Sequence, residues 1–159
     1  MKRSKKIFII FIVLIILLSI TLFIIFPFST KRYDVDAIES QLLKYYSDRE
    51  LRVMDFVDMT ALFGTDFDDT SDVVFLGNVS IDQPYSEDSM IVAVINNDNP
   101  EYYYDLLRSH IDSYLMYSDD KILNKLYKNA ILVKGKKSVY FIVGIDAKII
   151  EKEINSFYN

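Results

Sequence analysis

The sequence predicts an α+β domain behind an N-terminal transmembrane helix, the domain carrying a largely antiparallel four-stranded sheet of two hairpins with helices packed on it. Three observations carry that prediction. Residues 7–28 form an uncharged apolar run, β-branched stretches come in pairs, and helical periodicities precede, separate and follow those pairs.

A basic tail, residues 1–6 with Lys2, Arg3, Lys5 and Lys6, opens the chain and is expected in the cytoplasm. Ile7 to Phe28 follows without a charge and spans about 33 Å as a helix, against a hydrocarbon core of about 30 Å. A cleaved signal peptide has a shorter apolar region and small residues at its cleavage site, and FPFSTKRYD offers no such site. The run therefore reads as an uncleaved signal anchor. Four basic residues precede it and only Lys31 and Arg32 follow, so the positive-inside bias predicts a single-pass protein of the cell membrane with residues 29–159 as an extracytoplasmic domain. The lipid bilayer is its expected partner through residues 7–28.

The first helix of the domain is expected from Asp34 or Asp36, with Val35, Ile38 and Leu42 at helical spacing. A short second helix around Met59 to Phe63 has Asp58 as its cap and Gly64 as its stop. Val73 to Ser80 and Ser89 to Ile95 pair as a hairpin, and the second of these is apolar on both faces, which places it centrally in a covered sheet. Asn99 and Pro100 start a long helix running to about Tyr117, with Tyr103, Tyr104, Leu107, His110, Ile111, Tyr114 and Leu115 on its inner arc. Another helix covers about Asp119 to Lys128. Ala130 to Lys134 and Ser138 to Ile145 form the second hairpin, and Asp146 caps a final helix. Strands that arrive in pairs instead of alternating with helices argue against a doubly wound nucleotide-binding fold.

Composition narrows the chemistry. The chain has no Cys, which removes thiol nucleophiles, disulfides and thiolate metal sites, and a single histidine, His110, which removes a histidine metal cluster. From Tyr33 onward there are 12 basic and 23 acidic residues, a balance that repels phosphate and disfavours nucleic acid as a partner. The glycines are isolated, so no phosphate-cradling loop is present, and no cofactor is expected.

The acidic stretch with Asp66, Asp68, Asp69 and Asp72 offers hard-cation ligands. It fails the EF-hand pattern, with Ser71 where the turn Gly belongs and Gly77 where the bidentate Glu belongs, and its first reading is a solvated turn. For partner contact the candidates are Tyr102 and Tyr117, set outside the core arc of the long helix, and the basic hairpin tip with Lys136 and Lys137.

The early helix, the segment L-F-G-T-D-F-D-D at 62–69, the strand S-M-I-V-A-V-I at 89–95, the helix rich in acids and Tyr after Asn99, and the closing K-G-K-K-S-V-Y-F-I-V-G at 134–144 resemble a family of small membrane-anchored bacterial envelope proteins of unknown function. The resemblance covers most of residues 34–158. It departs from the lipoprotein members in having no Cys after the apolar run, and it implies no activity, so no catalytic residue carries over. The functional expectation is a membrane-anchored extracytoplasmic binding or accessory domain without catalysis, its partner an envelope protein or glycan. The alternatives are a carboxylate-dependent hydrolase of the cell envelope or a weak cation or ligand sensor.

Overall fold

The protein is described here from a computed structural model covering residues 32–64, 72–79 and 85–158. Helix α1, Val35–Tyr45, is capped by Asp34, whose carboxylate accepts from the Ala37 N–H at 3.0 Å, and it buries Val35, Ile38 and Leu42. A 3-10 turn, Ser47–Arg49, leads to strand β1, Arg52–Val53. Helix α2, Phe56–Phe63, starts one turn before its expected position because Asp55, not Asp58, is the cap, accepting from the Asp58 N–H at 2.8 Å. Gly64 ends it at φ 69°, a left-handed conformation that glycine enters without a Cβ penalty.

Strands β2, Asp72–Gly77, and β3, Ile91–Asn96, precede the long helix α3, Pro100–Tyr117, and the short helix α4, Lys121–Lys128. Strands β4, Ile131–Lys134, and β5, Ser138–Val143, and helix α5, Ala147–Ser156, complete the order. All strand pairs are antiparallel, in the order β1-β2-β3-β5-β4. The sheet has five strands, which corrects the four expected. The additional strand, β1, pairs Arg52 with Gly77 and Val53 with Leu76. Two exposed residues are too few to show the alternation from which a strand is read.

The signal anchor expected over residues 7–28 lies outside the described residues, and no helix among those described is long and apolar enough to cross a membrane. The longest, α3, reaches about 27 Å at 1.5 Å per residue, but Glu101, Asp105, Arg108 and Asp112 interrupt it. On that finding the expected placement is corrected: the transmembrane helix and the single-pass membrane localisation with its cytoplasmic and extracytoplasmic sides are not features of the described structure.

Helices cover both faces of the sheet. One face packs Phe75, Ile91, Ala93, Ile95 and Phe141 against Met59 of α2, Leu107 and Ile111 of α3, and Leu123 and Leu126 of α4. The other packs Val74, Leu76, Val92, Val94 and Ile142 against Ile38 and Leu42 of α1 and Ile150 and Ile154 of α5. Every residue of β3 and β5 is buried, as strands covered on both sides require.

Asn96 at the end of β3 fastens the incoming chain to this sheet. Its Oδ1 accepts from the Tyr33 N–H at 3.0 Å, and its Nδ2 donates to the Tyr33 carbonyl at 2.7 Å and to Asp72 Oδ2 at 2.9 Å. Tyr33 also forms an antiparallel bridge with Tyr158, and the Asp34 N–H donates to the Phe157 carbonyl at 3.1 Å, so the two ends of the domain are adjacent.

Candidate partner-docking surface

Of the acidic candidates, Asp66, Asp68 and Asp69 lie outside the described residues. Asp72 is the first residue of β2, and its carboxylate is engaged by Asn96. Among the described residues no group of three or more acids or histidines is placed to hold a metal ion.

Tyr102 and Tyr117 are both exposed, at 48% and 80%, but they stand at opposite ends of α3. Fifteen residues of helix separate them by about 22 Å, so they do not form one patch. The ring of Tyr102 meets Tyr103 edge-on, with centroids 5.1 Å apart. At the hairpin tip, Lys137 Nζ lies 3.0 Å from Asp98 Oδ1, an oxygen that Arg32 also approaches at 3.0 Å. The Lys137 hydrogen bond holds the Asp98 carboxyl below its ordinary range, with Arg32 adding to the effect. Lys134 pairs with Glu101. Local acids therefore meet most of the tip's positive charge, and among the described residues Lys136 has no charged partner within salt-bridge distance.

A different surface gathers exposed apolar side chains and lysines. Helix α3 contributes Ile111 and Tyr114 to the core, but Leu115, Met116 and Tyr117 lie past it, 36%, 71% and 80% exposed. Periodicity assigns Leu115 to the inner arc, yet the last turn of α3 has passed the edge of the core it covers. Ser118 breaks the helix in an extended conformation, and Asp120 caps α4 by accepting from the Ile122 and Leu123 N–H groups at 2.7 and 3.2 Å. Asn124 Nδ2 donates back to the Ser118 carbonyl at 2.7 Å and fixes the corner between the helices.

Helix α4 turns Leu123, Leu126 and Tyr127 inward and leaves Lys121, Lys125 and Lys128 outside. An open groove of about 680 Å³ is lined by Leu115, Lys121, Asn124, Lys125, Lys128 and Asn129. A second depression of about 240 Å³ lies among Ser113, Tyr114, Tyr117 and Ser118. The lysines at positions 121, 125 and 128 are visible in the sequence as one helical face. Their juxtaposition with the end of α3 is tertiary and has no local pattern.

His110 lies beneath this surface in the core. Its Nε2 is 2.8 Å from Tyr127 Oη, and the rings of Phe63 and Tyr114 lie 4.6 and 4.7 Å from it. Burial lowers its pKa to about 4, so the ring is neutral at pH 7. The same desolvation pushes the Tyr127 hydroxyl far above its ordinary value.

Compared with known proteins, the chain matches no family model, no curated protein and no solved structure.

Proposed function

We propose that this chain is a non-catalytic binding domain that docks a protein partner at the corner between α3 and α4. The observation that supports this reading is the run Leu115, Met116 and Tyr117, three consecutive apolar side chains exposed at the end of a helix whose preceding turns bury their apolar face through Tyr103, Leu107, His110 and Ile111. Contiguous apolar exposure is uncommon on a monomer's surface and marks contact sites. Tyrosine and methionine are enriched at such contacts because they supply large area with few polar atoms to desolvate. The corner is also stiff, since the Asp120 cap and the Asn124–Ser118 bond fix the angle between the helices. Little ordering is left to be done when a partner arrives, and that favours affinity.

In-cell photo-crosslinking of the full chain tests the reading, with a photoreactive residue placed in turn at Met116, at Tyr117 and at Lys148, which is exposed on α5 across the sheet. The expected result is one discrete protein adduct from positions 116 and 117, absent from 148 and lost when Leu115→Ser is added. Equal labelling from all three positions, or none from 116 and 117, rejects the docking surface.

A further inference from the structure

We propose that the partner presents an acidic, amphipathic segment, its carboxylates meeting Lys121, Lys125 and Lys128 while its apolar side chains cover Leu115 and Met116. This rests on the docking reading above and adds the chemistry of the occupant.

Charge complementarity carries the inference. The chain from Tyr33 onward has nearly twice as many acids as bases. Helix α4, KILNKLYK, holds three lysines and no acid, and the groove it forms with α3 has no carboxylate among its described lining residues. Lys121 and Lys128 are about 10 Å apart along the helix, and a Debye length of about 8 Å at physiological salt lets this local potential act independently of distant acids. Lys125 pairs with Glu87 at 3.1 Å, but both side chains are about two-thirds exposed, at 64% and 67%. A pair so placed is held weakly and opens readily to a competing carboxylate. Asp120, the nearest acid in sequence, directs its carboxylate to the α4 N–H groups instead of the lysines.

The groove carries a second kind of group. Asn124 and Asn129 commit their amide nitrogens to the Ser118 and Lys125 carbonyls at 2.7 and 2.9 Å, leaving their amide oxygens as acceptors. Lysine donors beside amide acceptors match a polypeptide, which supplies both carboxylates and N–H groups. Apolar side chains at the end of α3 then take the other face of the segment. The spacing of the lysines, four residues and then three, matches the spacing of one face of a facing helix.

The test uses the full chain and a fluorescent amphipathic peptide with Glu along one helical face and Leu along the other. A peptide with Lys in place of Glu, vesicles of zwitterionic and of anionic lipid, and sedimentation of the chain alone complete the set. The variants are Lys121→Glu/Lys128→Glu and, as an equal change of charge elsewhere, Lys148→Glu/Lys152→Glu on α5. Binding of the acidic peptide is expected to weaken roughly tenfold or more in the α4 variant and at high salt, and to hold in the α5 variant. The Lys-bearing peptide is expected not to bind. Equal binding by both variants overturns the proposal. So does lysine-dependent binding to anionic vesicles without peptide binding, or a lysine-dependent dimer of the chain alone. If the adduct from position 116 persists unchanged in the α4 variant, the docking surface stands and its acidic occupant does not. If no adduct forms in either protein, the docking surface itself fails.

Discussion

His110 shows how one side chain can couple the core to acidity. In the unfolded chain it titrates near 6.5, and in the fold burial holds it to about 4. Between those values the unfolded state binds a proton that the folded state refuses, so stability is full above about pH 6.5 and falls as pH drops towards 4. A shift of that size corresponds to at most about 3 kcal/mol. Asp58 and Asp98, whose carboxyls are lowered by the hydrogen bonds from Arg52 and Lys137, lose stability in the same direction at lower pH. His110→Gln retains a hydrogen-bonding group for Tyr127 and does not titrate. Urea unfolding of both proteins from pH 7 to pH 4 should show the native chain losing stability more steeply, with the difference accruing across that window. Parallel curves would show that His110 takes up its proton as readily in the folded state as in the unfolded one. The sequence places His110 on the inner arc of α3 but names no partner for its ring. The structure buries the ring there with a hydrogen bond to Tyr127, a partner that comes from another helix 17 residues away.

Among the elements, α4 depends most on its cap, because two turns of helix leave few internal bonds to hold it. Asp120→Ala removes the acceptor for both the Ile122 and Leu123 N–H groups and should cost about 1 kcal/mol in urea unfolding. Amide exchange at those two residues should quicken with it, and unchanged exchange would show the cap to be idle. Asp34 and Gly64 are legible in the sequence as helix punctuation, since each acts through backbone groups within a turn of itself. Asn99 and Asp146 stand at the expected positions but make no side-chain cap bond. The Asp146 carboxylate is taken by Arg49 at 2.8 Å, a partner nearly a hundred residues away that no local pattern announces. The hairpin strands are legible from their β-branched runs, and β3 lies at the centre of the sheet as its two apolar faces indicate. Strand β1 is not, because its identity comes from pairing with β2. The docking surface was half legible: the lysine face of α4 is written in its spacing, whereas the exposure of Leu115 follows from where the core ends.

Across the described domain, the arrangement is a three-layer sandwich whose centre joins two hairpins through β3 and β5. The antiparallel bridge between Tyr33 and Tyr158 makes the described domain almost a closed ring, with its covalent gap at one strand-pair spacing of about 5 Å. A linker of roughly three residues is long enough to close that gap. The chain could then be opened at the exposed tip between Gly135 and Lys136, giving the same packing with a different beginning. Such a circular permutant should unfold in one cooperative transition in urea, whereas a broad or split transition would show that the order of synthesis is needed to bring the two hairpins together. Adjacent ends also mean that anything joined to either end meets the domain at the same place, so a pull exerted between them is borne together by the Tyr33–Tyr158 bridge and by the Asn96 bonds that tie Tyr33 to β3.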